Sequence, residues 1–204
     1  CHNAVDRHLD QLGDKPALEI MHADRTEVWS YAQIEAAVRG IGTGLLGLGL
    51  APGSRILLRL GNSAAFPLAY LGAIAAGFVP VPTAAALTEA EITRMAALVA
   101  PALVVADAGI ALPDCVAPVL PAADLMAMQH LAPCAYQMGD PDRLAYIVFT
   151  SGTSGRALAV QHAHRALWAR GMMHQGWEGL IEGDRYQSRT VRYRCSDATL
   201  LDVV

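Results

Sequence analysis

The middle of the chain alternates strand-like and helical patterns, and this order restricts the fold more than any other feature of the sequence. Apolar runs typical of buried strands occupy residues 55–60, 78–81 and 103–106. Helical patterns lie between them at residues 63–76 and 88–100. Strand, helix, strand, helix, strand is the order of βαβ units, whose strands lie parallel and whose helices cover the sheet. We therefore predict an α/β fold with a mostly parallel sheet flanked by helices.

Two predicted helices carry local start signals. Ser30 is a favourable N-cap residue, and residues 31–49 follow it with a helical pattern. Apolar side chains recur there at three- and four-residue spacing, namely Tyr31, Ile34, Val38, Ile41, Leu45 and Leu48. Thr88 and Glu91 form a capping-box pattern at the start of the helix over residues 88–100. Further along, residues 144–149 are predicted as a strand, 159–162 as a short strand and 163–176 as a helix, whereas 107–143 read as a Pro-rich surface connection.

Residues 60–88 carry no charged side chain, a length that raises the possibility of a membrane-spanning helix. Gly77, Pro80 and Pro82 interrupt the stretch, so its helical part ends before the strand at 78–81. At about 1.5 Å per residue that helix spans roughly 21 Å, which is shorter than a bilayer core. We interpret the stretch as a buried helix packed on a sheet.

Charge and cysteine content exclude some classes of protein. The formal net charge of -4 argues against a general nucleic-acid binder. The four cysteines are far apart and form no CxxC pair, which indicates neither a zinc site nor a disulfide framework: Cys1, Cys115, Cys134 and Cys195. We expect a cytoplasmic protein without a signal peptide, and we expect Cys1 to lie inside a longer sequence because no initiator methionine precedes it.

Gly42, Gly44 and Gly47 match the G-x-G-x-x-G pattern of dinucleotide-binding proteins. That pattern functions only as a strand-to-helix turn with an acidic residue about 20 positions later. Here it lies inside a helical pattern, and no Asp or Glu occurs between Glu35 and Glu89. We interpret these glycines as helix-packing residues, which leaves a dehydrogenase as a distant alternative.

A Ser/Thr/Gly loop directly follows the predicted strand at 144–149 and consists of Thr150, Ser151, Gly152, Thr153, Ser154 and Gly155. Its glycines let the backbone approach a ligand, and its hydroxyl and amide groups are donors that suit nucleotide phosphates. A standard P-loop is excluded because the Lys-Ser/Thr pair is missing. An ordinary flexible loop remains the alternative interpretation.

Residues 148–155, followed by Val160, His164 and Arg165, resemble the phosphate-loop signature of the adenylate-forming (AMP-binding) enzymes. This family includes acyl-CoA synthetases, luciferases and peptide-synthetase adenylation domains. Other segments resemble family motifs in the same order, namely residues 14–17, 29–31, 71–82 and 183–185. The resemblance extends from residue 10 to residue 185 and suggests an acyl-CoA synthetase-like fold, of which residues 1–185 are part of the N-terminal adenylation domain.

The resemblance implies a two-step acid-thiol ligase that uses ATP and Mg²⁺. Such an enzyme converts a small carboxylate to an acyl-adenylate, releases pyrophosphate and passes the acyl group to a thiol, commonly that of coenzyme A, for example in fatty acid metabolism. The sequence does not determine which carboxylate is activated or whether the acceptor is coenzyme A or a carrier-protein thiol. Carried over by position, Thr150, Ser151, Gly152, Thr153, Ser154 and Gly155 contact the β and γ phosphates, and Arg156 occupies a variable position. No nucleic acid, membrane span or metal-ligand residue is implied for this chain.

The sequence also departs from the family. Leu158 stands where the family places a phosphate-pairing lysine, and Lys15 is the only lysine in the chain. The C-terminal catalytic lysine and lid domain are not found, and residues 186–204 do not resemble the family. We therefore expect an N-terminal fragment with an atypical tail and little or no turnover by itself. The competing hypothesis is a non-catalytic nucleotide-binding or scaffolding relic of the same fold.

Three smaller patterns receive structural interpretations. His162 and His164 form an H-x-H pair that we interpret as surface polar residues rather than a metal site, with His164 starting a helix. Trp168, Met172, Met173 and Trp177 recur at helical spacing, which is typical of a core stripe. Arg189, Arg192 and Arg194 are expected to be solvated.

Overall fold

The computed structural model describes residues 9–150, 157–177 and 179. The helices are α1 (Leu9–Leu12), α2 (Tyr31–Gly47), α3 (Ala65–Ala75), α4 (Glu89–Val99), α5 (Ala122–Ala127) and α6 (His164–Gly176), with a short 3-10 helix at Met128–His130. The strands are β1 (Pro16–Met21), β2 (Thr26–Ser30), β3 (Arg55–Arg59), β4 (Val79–Pro82), β5 (Leu103–Ala106), β6 (Val119–Pro121), β7 (Leu144–Thr150) and β8 (Leu158–Ala163).

The central sheet is parallel and has the strand order β4-β3-β5-β6. The register sets Leu57 of β3 opposite Val81 of β4 on one side and opposite Val104 of β5 on the other. Helices α3 and α4 provide the crossover connections between these strands. The predicted α/β fold with a mostly parallel sheet flanked by helices is confirmed.

Side chains on the two faces of the sheet enter two hydrophobic cores, because successive strand residues point in opposite directions. On one face, Ile56 and Leu58 pack with α2 and α3, and we name this cluster the α3 core. On the other face, Leu57 packs with α4 in a cluster that we name the α4 core. The α4 core consists of Leu57, Val79, Val81, Ile92, Met95, Ala96, Val99, Val104, Ala106, Ile147 and Phe149.

The capping signals read from the sequence operate in the structure. The Ser30 hydroxyl accepts a hydrogen bond from the Gln33 amide, and the Gln33 side chain accepts one from the Ser30 amide. Thr88 and Glu91 exchange the equivalent pair of bonds at the start of α4. Each box satisfies two amides that the first helical turn leaves without intrahelical partners.

Helix α3 is buried on every side, so it has no polar face. This agrees with the interpretation of the charge-free stretch as a core helix that ends before strand β4. In the described part of the chain, no helix combines the length and the apolar character needed to cross a membrane.

Helices α2 and α3 approach each other closely at glycine. A Cβ atom built on Gly72 of α3 would lie 2.6 Å from Cγ2 of Ile41 in α2, and one on Gly42 would lie 2.6 Å from Sγ of Cys134. Gly44 faces Met128, whereas Gly47 has no neighbour within 4 Å. The G-x-G-x-x-G segment is therefore helical, and two of its three glycines are required by packing.

Two regions differ from the prediction. Residues 16–30 form the antiparallel β1–β2 hairpin, which the sequence did not indicate. The segment predicted as a surface connection, residues 107–143, contains β6, α5 and the 3-10 helix. These elements are short, and their stability comes from long-range contacts such as the packing of Leu125 in the α3 core, which local patterns do not reveal.

Strand β4 forms one edge of the parallel sheet, and the β7–β8 hairpin lies beside it. On the inner side, the amides of Val79 and Thr83 donate to the carbonyls of Ser54 and Leu58, at 3.0 and 3.2 Å. Pro80 and Pro82 alternate along β4 with the residues that donate to β3, and neither proline has an amide hydrogen. Among the described residues, β4 and β7 share no strand pairing.

Candidate functional site

The predicted phosphate loop connects β7 and β8. These strands are antiparallel, and Thr150, the last residue of β7, pairs with Leu158, the first residue of β8. Thr150 is half-buried at the end of its strand. The other predicted phosphate-binding residues, Ser151, Gly152, Thr153, Ser154 and Gly155, lie outside the described residues, as does Arg156. The structure thus gives the position of both ends of the loop.

Strand β7 is held from both faces. Ile147 and Phe149 belong to the α4 core, while Tyr146 belongs to the α3 core and Val148 packs against it. On β8, Ala159 packs against the α4 core, as does Ala157 just before the strand. The two ends of the loop therefore rest on the same apolar cluster, which fixes their separation through side-chain packing.

Leu158 occupies the position at which the family resemblance leads us to expect a lysine. Its residue surface is 56% exposed, although leucine is apolar and gains nothing from contact with water. An isobutyl group cannot donate a hydrogen bond or carry charge to a phosphate. The exposed side chain at the base of the loop is consistent with a position that suits a long polar residue.

His162 and His164 are both half-buried, so each is partly exposed to solvent. The His162 ring stacks on Tyr146, and burial together with nearby Arg170 lowers its pKa. His164 is the first residue of α6, as expected, and its amide donates to the Arg143 carbonyl at 3.2 Å. Burial, with a contribution from Arg143, lowers the pKa of His164 to about 4.

Among the residues that the structure describes, neither histidine belongs to a group of side chains that could hold a metal ion. Within residues 9–150, 157–177 and 179, no group of three His, Cys, Asp or Glu side chains is arranged to hold a metal ion. Two histidines by themselves provide too few ligands for a structural or catalytic zinc site. The described residues consequently provide no ligand set to assign to Mg²⁺.

The prediction that Trp168, Met172, Met173 and Trp177 form a core stripe is wrong. These side chains are 50%, 54%, 46% and 86% exposed. Helix α6 packs on the hairpin through a different face, from which Leu167 contacts the α3 core. Helical spacing identifies side chains that share a face, but it does not identify the face that is buried. Arg189, Arg192 and Arg194 lie outside the described residues.

A charged residue that the sequence did not single out closes the carboxyl end of the parallel sheet. Arg59 ends β3 and is 0% exposed. Its guanidinium donates to the Ala111, Ala84, Ala85 and Leu87 carbonyls, at 2.9, 2.5, 3.3 and 3.1 Å, and to the Thr83 hydroxyl at 3.4 Å. All five guanidinium N–H donors are thus used on neutral oxygens, which is how a buried arginine avoids unsatisfied polar groups.

Asp107 completes this end of the sheet. Its carboxylate accepts a hydrogen bond of 2.7 Å from the Gly61 amide, and its own amide donates to the Arg59 carbonyl at 3.0 Å. Open α/β sheets often bind ligands outside the carboxyl ends of their strands. Here the ends of β3 and β5 are joined by hydrogen bonds within the protein. The one sequence signal for Arg59 was a charge inside an otherwise apolar strand pattern.

The chain is similar to known proteins over most of its length. The family model described as AMP-binding enzyme matches residues 5–191. A 3-hydroxybenzoate--CoA/4-hydroxybenzoate--CoA ligase of Thauera aromatica is 28% identical in an alignment 201 residues long, which covers 89% of this chain and 38% of that protein. A 4-hydroxybenzoate--CoA/benzoate--CoA ligase of Rhodopseudomonas palustris is 32% identical in an alignment 184 residues long, which covers 78% of this chain and 32% of the relative.

A solved structure shows the same fold. The benzoate CoA ligase of Burkholderia xenovorans LB400 superimposes with a TM-score of 0.73 at 22% identity, over 86% of this chain and 37% of that one. The chain spans less than two fifths of the length of both curated relatives. The names of these relatives specify aromatic acids, which gives no support to the expected role in fatty acid metabolism. Because the family model matches most of its length, the chain belongs to the AMP-binding enzyme family.

Proposed function

We propose that this chain forms the phosphate-binding part of an ATP-dependent ligase that activates an aromatic carboxylic acid and transfers it to coenzyme A. Membership of the AMP-binding enzyme family supports the ligase chemistry. The aromatic acids in the names of the curated relatives support the substrate class, which the sequence by itself left undetermined. The division at residue 185, the atypical tail and the cytoplasmic location stay predictions.

The observation that carries the proposal is the pairing of Thr150 with Leu158, which brings both ends of a Ser/Thr/Gly loop together on a buried strand. We assign the β and γ phosphates of ATP to the segment from Thr150 to Gly155. Its hydroxyl and amide groups are the donors that a highly charged leaving group needs as pyrophosphate separates. When bound, Mg²⁺ would neutralise part of the phosphate charge.

Leu158 limits what the chain does with a bound nucleotide. A charged hydrogen bond to phosphate contributes about 1.5–3 kcal/mol, and leucine provides none of it. The only lysine, Lys15, lies just before β1 rather than at the β7–β8 hairpin that carries the candidate loop. We therefore expect the 204-residue chain to bind ATP weakly and to show little or no turnover.

The same residue favours a second candidate function, a nucleotide-binding or scaffolding relic. In that case the loop retains its backbone geometry, and leucine at position 158 in place of the family's lysine reflects the loss of adenylation activity. The two candidates differ in whether adenylation can be measured in any form of the protein that contains this loop.

The test is ATP–pyrophosphate exchange with benzoate, 3-hydroxybenzoate, 4-hydroxybenzoate, 4-coumarate and a medium-chain fatty acid as alternative substrates. The 204-residue chain is compared with its Ala157→Pro/Leu158→Lys double variant, and the same pair is made in the longest available form of the protein. We expect exchange with an aromatic acid in the longer form, increased by the double substitution.

Each alternative has its own signature in this experiment. Rapid exchange by the unmodified 204-residue chain would overturn the expectation of inactivity. Equal exchange by the unmodified and substituted longer forms would exclude the relic. Exchange that depends on the fatty acid alone would overturn the aromatic substrate class.

A further inference from the structure

The segment that links β4 to α4 is held by Arg59. Residues 83–87 consist of Thr83, three alanines and Leu87, so the segment has one polar side chain of its own. Arg59 donates to the carbonyls of Ala84, Ala85 and Leu87 and to the Thr83 hydroxyl, which in turn donates to the Leu58 carbonyl at 2.8 Å. The conformation of this segment therefore depends on a side chain that belongs to a different strand.

One residue of this segment packs against the same core as the strand ends that flank the candidate loop. The Leu87 side chain packs against the α4 core. Phe149 belongs to that core, and Ala157 and Ala159 pack against it. Phe149 precedes the loop, and the two alanines follow it. Arg59 and the loop ends are thus linked by two steps, a hydrogen bond to the Leu87 carbonyl and the packing of Leu87 in the shared core.

We propose that Arg59 is a positioning residue for the phosphate loop, acting through Leu87 and the α4 core on the two strand ends that carry the loop. This inference rests on the proposed function for its consequence, nucleotide affinity, and on packing alone for its structural content. Arginine suits this role because its planar group donates in five directions, whereas a lysine at the same place has three donors on one nitrogen.

If Arg59 only stabilised the whole domain, any variant of equal stability would have the same effect on the loop ends. The experiment therefore compares variants at matched global stability. Arg59→Lys and Arg59→Met are made in the 204-residue chain, together with Leu87→Ala, which leaves the hydrogen bonds of Arg59 in place and removes the packing step. Leu125→Ala is the control, because Leu125 is buried in the α3 core, away from the α4 core. Leu87 is half-buried, so its variant reports on the link even where an Arg59 variant does not fold.

Hydrogen exchange is measured in peptides covering residues 83–88, 145–150 and 157–163. We expect the Arg59 and Leu87 variants to increase amide exchange about tenfold in all three segments, because local opening spreads through a shared packing unit. Leu125→Ala should leave the two hairpin segments within about twofold of the unmodified chain once global stability is matched. Increased exchange confined to residues 83–88, or an equal increase in the control, would overturn the proposal.

Binding of inorganic pyrophosphate, followed by titration calorimetry, tests the functional consequence. We expect the dissociation constant to rise about threefold to tenfold in the Arg59 and Leu87 variants and to stay unchanged in the control. If the unmodified chain binds no pyrophosphate, the assignment of phosphates to the segment from Thr150 to Gly155 fails, and the hydrogen-exchange result alone then decides the positioning role. If binding is present and equally strong in every variant, the positioning role fails while the phosphate site stands.

Discussion

The rings of Tyr146 and His162 stack across the β7–β8 hairpin, with centroids 4.6 Å apart and planes within 6° of parallel. The two residues are also direct cross-strand partners. We expect a double-mutant cycle with Tyr146→Leu and His162→Ala to give a coupling free energy of about 0.5–1.5 kcal/mol in urea unfolding. The pair Tyr146→Leu with Val160→Ala is the control, and additive losses in both cycles would show that the stack contributes no stability.

Stability should decrease in mild acid because two histidines are held neutral. The pKa of His164 falls from its ordinary value of 6.5 to about 4, chiefly through burial, and burial also lowers the pKa of His162. Below pH 6.5 these histidines bind protons in the unfolded chain but stay neutral in the folded chain. The free energy of unfolding therefore decreases as the pH falls towards 4. Urea unfolding at intervals from pH 7.5 to about 4.5 measures the slope.

His164→Gln and His162→Gln provide the matched comparison for the pH dependence. Each substitution removes one titrating group, so each should flatten the decrease in stability over this range. A decrease that is as steep in the double variant as in the unmodified chain would assign the acid sensitivity to other residues.

Leu158→Lys should be tolerated by the fold and should strengthen phosphate binding. The side chain is 56% exposed, so we expect a change in unfolding free energy within about 0.5 kcal/mol. A charged hydrogen bond to a phosphate oxygen should tighten the dissociation constant for ATP about tenfold. Val160→Lys is the control, since it adds the same charge on the same strand, two residues farther from the loop. An equal increase in ATP affinity in both variants would indicate general charge attraction rather than a specific contact from position 158.

The close contact of α2 and α3 predicts opposite effects for two glycine-to-alanine substitutions. Gly72→Ala should destabilise by about 1–3 kcal/mol, because the new Cβ would lie 2.6 Å from Cγ2 of Ile41. Gly47→Ala, which meets no atom within 4 Å, should be neutral or should stabilise by up to about 1 kcal/mol through helix propensity. Thermal unfolding of both variants is sufficient, and a stabilised Gly72→Ala protein would show that the helices separate without cost.

Helix α4 ends on a strained alanine. Ala100 has a φ of 43°, in the left-handed region that glycine adopts without penalty. Ala100→Gly should therefore stabilise by about 0.5–1 kcal/mol. The same substitution at exposed Ala97, inside the helix, should destabilise by about 1 kcal/mol. Loss of stability in both variants would mean that Ala100 relaxes to an ordinary conformation in solution.

The elements predicted well are those whose signals are local. The capping boxes at Ser30 and Thr88 place the starts of α2 and α4 at the predicted residues, and β5 has the predicted bounds. Periodicity and proline positions predict the alternation of strands and helices and hence a mostly parallel sheet. The position of the candidate loop after β7 follows from the same pattern. The strand order β4-β3-β5-β6 is known only from the structure.

The features that the sequence did not reveal depend on long-range contacts. Burial of Arg59 is set by carbonyls that come from residues 84–87 and from Ala111, more than twenty positions away. The exposed stripe on α6 had the spacing of a core helix, and only the fold determines that Leu167 faces inward instead. Hairpin β1–β2 has no short turn motif, and its pairing is a tertiary outcome.

Pro80 and Pro82 give the molecule a boundary between its parallel sheet and the strand pair that carries the candidate loop. Side chains bridge this boundary, and the proline edge offers no amide hydrogens there to extend the ladder of β4. Among the described residues, the hairpin is therefore joined to β4 by side-chain packing rather than by a ladder of backbone hydrogen bonds. Because Ile147 and Phe149 share the α4 core with Val79 and Val81 of β4, a substitution in that core should alter the support of the loop ends and the packing of the sheet together.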